Sequence, residues 1–282
     1  MSPLDTAADS LVVWLDFGDP ESGYLGWLAG RVRKAENAWG DMVRLARPWA
    51  PGEHGVGIGP SGEGKTTHLG GMCGIRKWVI AIDPKGEDDT LSSFGFERVR
   101  SVWQPGLRYW FEHRDDARIW RDAWKRIDDG QPVKLVIGGK SDSDEQVTAL
   151  KLLMTDAVKF VQYVGGWTFY IDELEIATSQ EMFNIRPYVN RMQIAARTKG
   201  TSVLSGYQAQ AWVSKHPIRQ CRKATMWSTG SREMIKAVAE GIGRDWRELA
   251  QVVDTIPQFV SATIPRGKHG GPIVLTSAPK VN

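Results

Sequence analysis

Short apolar-centred runs alternate with longer amphipathic stretches along most of this chain. Gly55-Val56-Gly57-Ile58, Trp78–Ile82, Val133–Ile137, Trp167–Ile171, Ser202–Ser205 and Ala224–Trp227 each read as a buried strand bounded by turn residues. Between them lie helical patterns. Residues 65–72 continue as a helix, 112–129 form a polar helix with Trp120 and Trp124 four apart, and 144–163 carry Leu150, Leu153, Val158 and Val161 on one side. Upstream, Leu25, Leu28, Val32, Ala35, Trp39 and Val43 recur at helical spacing, which predicts an amphipathic helix over 20–47 ended by Pro48 and Pro51-Gly52. The end of the chain, roughly Gln258 to Leu275, reads as a strand pair around Arg266–Gly271. Alternation of this kind predicts an α/β fold, a mostly parallel sheet flanked by helices. The expected division is an N-terminal helical segment, 1–52, and one sheet domain, 53–282, that closes with the strand pair.

With 282 residues, the chain can bury one sizeable core. No apolar run is long enough to cross a bilayer, and the polar start, Met1–Ser10, does not read as a signal peptide. Cys73 and Cys221 are the two cysteines, far apart and without partner spacing, so a reduced, cytoplasmic setting is expected. The net charge of +3 hides an asymmetry: from Arg186 to the end 15 basic residues face 5 acidic ones, giving +10, against 21 and 28, or −7, before it. Positive charge gathered in one third of a chain suits contact with a polyanion, although solvated helix faces account for it equally well.

The chemistry is concentrated in Gly59-Pro60-Ser61-Gly62-Glu63-Gly64-Lys65-Thr66-Thr67, which spells the phosphate-binding pattern GxxxxGK[ST]. Glycines let successive backbone N–H groups turn inward on phosphate oxygens, in conformations that a Cβ obstructs. Lys65 supplies a point charge for the β- and γ-phosphates, and the Thr66 hydroxyl suits Mg²⁺. A strand before the loop and a helix after it are the context this motif requires, so ATP with Mg²⁺ is the expected ligand.

A second element lies about a hundred residues on. The apolar strand Thr168-Phe-Tyr-Ile171 delivers Asp172 and Glu173 at its C-terminal end, where ligands sit in open α/β sheets. Asp172 can hold Mg²⁺, directly or through water, and Glu173 can orient or deprotonate the water that attacks the γ-phosphate. Glu175 is an alternative base beyond the strand end. Gln208, at the tip of the following strand, is a candidate γ-phosphate sensor. Arg197, near a helix end, could reach a neighbouring subunit's nucleotide, or be one more basic surface residue. Lys215, Arg219, Arg222 and Lys223 are candidates for contact with a phosphate backbone.

Four segments in order resemble the FtsK–HerA superfamily of DNA-pumping P-loop ATPases: Gly59–Thr66, Ile82-Asp-Pro-Lys-Gly-Glu87, Tyr170-Ile-Asp-Glu173, and Ala196-Arg-Thr-Lys-Gly200 running on to Gln208. The resemblance spans about residues 54–230. It implies a RecA-like core, a homo-oligomeric ring of five or six subunits around double-stranded DNA gripped without regard to sequence, an arginine finger at Arg197 and a sensor glutamine at Gln208. Without membrane helices or an N-terminal barrel ahead of the P-loop, it points to a viral genome-packaging ATPase working in the host cytoplasm, with a portal or other DNA-conduit protein as partner. A plasmid or conjugative DNA-transfer ATPase is the alternative reading. An export or assembly ATPase that does not move DNA and a metabolic P-loop kinase are the rivals from other classes.

Overall fold

The computed structural model describes residues 12–15, 33–35, 49–86, 89–99, 122–123, 125–139, 142–208, 215–267 and 273–277. It divides into two compact units, one built from Met1–Trp49, His54–Leu69 and Tyr207–Asn282, the other from Ala50–Glu53 and Gly70–Gly206.

The first unit holds strands β1 (Val12–Leu15), β2 (Arg33–Ala35), β3 (His54–Gly59), β9 (Cys221–Trp227), β10 (Val260–Pro265) and β11 (Ile273–Ser277), in the order β2-β1-β11-β10-β9-β3. β3 and β9 pair in parallel, whereas β9–β10, β10–β11, β11–β1 and β1–β2 are antiparallel. The strand pair expected at the end of the chain is therefore present, as β10 and β11, while Lys268–Gly271 of its turn lie outside the described residues. Val56, Ile58, Ala224, Met226, Ala262 and Ile264 are fully or almost fully buried. Helices α5 (Lys215–Gln220), α6 (Arg232–Ile242) and α7 (Trp246–Val253) bury Ile218, Ile235, Val238, Ile242, Leu249 and Val253. The last two start on a side-chain cap, Ser231 accepting from the Met234 N–H and Asp245 from the Arg247 N–H.

The second unit holds β4 (Trp78–Ile82), β5 (Glu97–Val99), β6 (Val133–Ile137), β7 (Thr168–Ile171) and most of β8 (Ser202–Gln208), in the order β8-β7-β4-β6-β5 with every pair parallel. All four residues of β7 are buried, as an all-parallel sheet covered on both faces requires. Helix α2 (Asp144–Val164) packs on β6 and β7 and against α4 (Arg186–Lys199). Its apolar side, including Leu150, Leu153, Val158 and Val161, is buried as its spacing predicts. Ser143 caps its start by accepting from the Gln146 N–H, and Gly165 with φ 77° ends it.

The expected α/β architecture is the one found, with two differences. Arg33–Ala35, inside the span expected to be helical, is an antiparallel strand on β1. Ladder pairing satisfies its backbone there and overrides the helical period; the rest of 20–47 lies outside the described residues. Within the polar helix expected over 112–129, Asp122–Ala123 and Lys125–Asp128 are helical, and Trp120 and Trp124 fall outside the described residues.

Ile80 is fully buried in the middle of β4, between β6 and β7. Ile80→Ala is expected to cost about 2–5 kcal/mol and to lower the urea midpoint of the second unit's unfolding. Equilibrium unfolding followed by far-UV circular dichroism measures it.

Candidate functional site

In the first unit, β3 runs into the loop Pro60–Gly64, and α1 (Lys65–Gly74) begins at its end. Gly62 and Gly64 both sit at φ 81°, the left-handed region, so the motif's glycines fall where the chain has to curl. Lys65 is almost buried, and its Nζ donates to the Pro60 carbonyl at 2.5 Å, folding the ammonium over its own loop. Ser61 and Gly62 are exposed, Thr66 and Thr67 half-buried. Side chains brace the loop from behind. A Cβ on Gly59 would stand 2.6 Å from Trp227 Cβ, and one on Gly57 would stand 2.7 Å from a Leu69 methyl. Glu63 accepts the Phe259 N–H at 3.3 Å, where Phe259 has φ 62° at the entrance to β10.

His68 lies one turn into α1, fully enclosed, with the Trp227 ring edge-on at 5.4 Å and Ser261 Oγ 3.4 Å from its Nδ1. Burial pushes its pKa down from 6.5 to about 4, so the imidazole is neutral at physiological pH.

In the second unit, Asp172 and Glu173 leave the end of β7 as expected. The Asp172 N–H donates to the Ile82 carbonyl at 2.9 Å, extending the pairing one step past the strand. Its carboxylate, almost buried, accepts the Tyr170 hydroxyl at 2.7 Å. Glu173 adopts φ 54°, ψ 65°, a left-handed conformation uncommon outside glycine, at the start of the short helix α3 (Leu174–Thr178). Its Oε1 lies 2.5 Å from Lys85 Nζ. Lys85 belongs to the turn Asp83–Gly86 that ends β4. Asp83, buried, is held by Arg98 Nη1 at 2.9 Å and itself accepts the Gly86 N–H. Sequence does not single out Arg98, because nothing in its spacing ties β5 to β4; it shows the Asp83-Pro-Lys-Gly turn but not the partner of Lys85.

Arg197 lies in the last turn of α4, and Gln208 is the last residue of β8, half-buried. Of the basic set, Lys215 and Arg219 share Glu240, at 3.0 and 3.2 Å. The Lys215 hydrogen bond, helped by its charge and by Arg219, holds the Glu240 carboxyl below its ordinary value. Arg222, on β9, is exposed. Cys73 and Cys221 are buried and not joined in a disulfide; burial raises both thiols, that of Cys221 to about 12, which disfavours the thiolate.

Among the described residues no group of three or more His, Cys, Asp or Glu could hold a metal ion. A magnesium bound with a nucleotide does not need one, since water and nucleotide oxygens supply most of its ligands; Thr66, half-buried in the first unit, and Asp172, almost buried in the second, each carry an oxygen of the kind such an ion takes. Among the described residues no helix is long and apolar enough to cross a membrane.

No protein-family model and no curated protein matches this sequence. Solved structures do match. The genome-packaging NTPase B204 of Sulfolobus turreted icosahedral virus 2, in complex with AMPPCP, is 14% identical with a TM-score of 0.52, over 82% of this chain and 100% of its own. B204 of Sulfolobus turreted icosahedral virus, a DNA-packaging ATPase, is 16% identical with a TM-score of 0.52, over 82% and 100%. VirB4 of Thermoanaerobacter pseudethanolicus is 8% identical with a TM-score of 0.51, over 81% and 89%. The fold expected from the resemblance is the fold these proteins have.

Keeping buried His68 neutral costs stability once the unfolded chain binds a proton that the folded one does not. As pH falls from 6.5 towards 4 the unfolded imidazole takes up a proton that the folded one refuses, and stability drops by about 3 kcal/mol across that window. His68→Gln, which does not titrate, is expected to lose that part of the pH dependence in urea unfolding measured at pH 7 and pH 4.5.

Proposed function

We propose that this chain is an ATP-hydrolysing translocase of double-stranded DNA of the FtsK–HerA type, acting in viral genome packaging. The observation that carries the nucleotide half is the strand–loop–helix formed by β3, Pro60–Gly64 and α1, with Gly62 and Gly64 at positive φ in the setting the P-loop motif requires. In this reading the backbone N–H groups and Lys65 would hold the phosphates, and Thr66 and Asp172 would hold Mg²⁺, whose charge would offset that of the β- and γ-phosphates. Glu173 takes a proton from water as the water oxygen bonds to the γ-phosphorus, and the bond to the ADP oxygen breaks. Arg197 acts on a neighbouring subunit's nucleotide, and Gln208 senses the γ-phosphate.

Support for the DNA half comes from the fold shared with a viral packaging NTPase and from the basic last third of the chain. Exposed Arg222 and the weakly held Lys215 and Arg219 suit a phosphate backbone, since exposed ion pairs of this kind are worth little and exchange readily. Assembly as a ring with a portal or other conduit protein, and work in the host cytoplasm, complete the proposal. Plasmid transfer is the alternative for the same motor, and export or assembly without DNA the alternative without it.

Steady-state ATPase assays with and without duplex DNA test this directly. Turnover is expected to rise with DNA, and the stimulation to fade with added salt. Glu173→Gln is expected to lower turnover about a hundredfold or more while nucleotide still binds. A parental rate in that variant removes the catalytic assignment; DNA-independent turnover favours the export reading, and turnover that needs a small acceptor favours a kinase.

A further inference from the structure

Ile82 and Ile171 are register partners at the ends of the parallel strands β4 and β7. What leaves those two ends meets again shortly beyond them: Lys85 Nζ on Glu173 Oε1 at 2.5 Å. The backbone that carries each of the two side chains is held in place. On the lysine side, the Asp83 N–H donates to the Ile137 carbonyl at 2.9 Å, and the Gly86 N–H donates to the Asp83 carbonyl at 3.1 Å and to Asp83 Oδ1 at 3.0 Å. Asp83 Oδ2 accepts from Arg98 Nη1. Gly86 sits at φ 72°, where a Cβ would stand 2.3 Å from the Gly139 carbonyl oxygen, so the turn cannot relax into Gly139 and no other residue fits there. On the glutamate side, the left-handed backbone at φ 54° aims a side chain that is only 12% exposed, against 50% for Lys85. An ion pair between two long, free side chains contributes almost nothing because ordering them offsets the attraction. Here the glutamate is already ordered, and only the lysine stem has freedom left to lose.

We propose that Lys85 is the positioning residue for Glu173, an inference that rests on the reading of Glu173 as the general base. The ammonium fixes the direction of the carboxylate through one oxygen. A carboxylate accepts about four hydrogen bonds, so one charge-assisted bond orients it without exhausting its capacity to receive a proton from water. The Asp83-Pro84-Lys85-Gly86 turn thereby carries a positive charge from the end of one strand to the base at the end of the next.

The test is DNA-stimulated ATPase kinetics of the full chain carrying Lys85→Ala, Lys85→Gln, Lys85→Arg, Glu173→Gln and the double Lys85→Ala, Glu173→Gln, with thermal unfolding to show that each is folded. Loss of Lys85 is expected to lower kcat tenfold or more while KM for ATP stays within about twofold, because the phosphates are bound elsewhere. Lys85→Arg is expected to recover most of the rate, and Lys85→Ala to have no further effect once Glu173 is Gln. The proposal is overturned by an unchanged kcat in Lys85→Ala and Lys85→Gln, by a rise in DNA-free turnover (a lysine that restrains the base), by a loss confined to KM, or by losses that add in the double variant. Parental turnover in Glu173→Gln overturns it together with the general-base reading. Loss in Glu173→Gln without loss in the Lys85 variants overturns this proposal alone.

Discussion

The Asp172 N–H is hydrogen-bonded to the Ile82 carbonyl, and the Asp83 N–H to the Ile137 carbonyl, both at 2.9 Å. These two bonds lie one residue beyond the last paired positions of β7 and β4, and they fix where each strand hands over to polar chain. The constraint behind them is general. A strand buried on both faces, like β7, cannot carry a carboxylate along its length without an uncompensated desolvation cost, so charge is admitted only where the strand leaves the sheet. Parallel pairing then sets the exits of neighbouring strands side by side. That arrangement sets the Asp83–Gly86 turn beside the Asp172-Glu173 pair, where Lys85 and Glu173 meet as an ion pair.

Much of this is legible in the sequence because the signals are local. Trp78–Ile82, Val133–Ile137 and Thr168–Ile171 are apolar runs of strand length, and α2 declares both ends, with a Ser cap at 143 and Gly165 at positive φ. The phosphate loop and the Asp172-Glu173 pair are equally plain, since their chemistry dictates spacing. What stays hidden depends on tertiary context. Glu97–Val99 is too short and polar to read as a strand and is recruited by β6. The start of β9, Cys221-Arg222-Lys223, carries charge although the strand pairs on both sides, because Arg222 is exposed there and burial becomes complete only from Ala224. Helices α6 and α7 do carry readable caps, Ser231 and Asp245-x-x-Glu248, though their short apolar faces draw less notice than the strands do. Arg98 on Asp83, Lys85 on Glu173 and Trp227 against His68 join residues 15, 88 and 159 positions apart, and no periodicity encodes such pairs.

In the phosphate-loop unit, polar function rests on apolar support. Lys65 and His68 are three residues apart on the same helical turn, yet one is bound to its own loop's carbonyl and the other is sealed against Trp227 and Ser261. The loop is thus exposed at Ser61 and Gly62 and immobilised a few residues later. That contrast suits a site for a large anion, an exposed loop with no slack behind it.

Gly59 opens the motif, and a methyl group there would collide with the Cβ of Trp227, an indole that is itself fully buried. Comparative mutagenesis of P-loop glycines is commonly read as a report on the nucleotide. At this position the reading would mislead: a variant would first have to evict an aromatic ring from the interior, so failure to bind ATP would register damaged packing and say nothing about phosphate recognition. The opening glycine answers to the tryptophan behind it before it answers to any ligand.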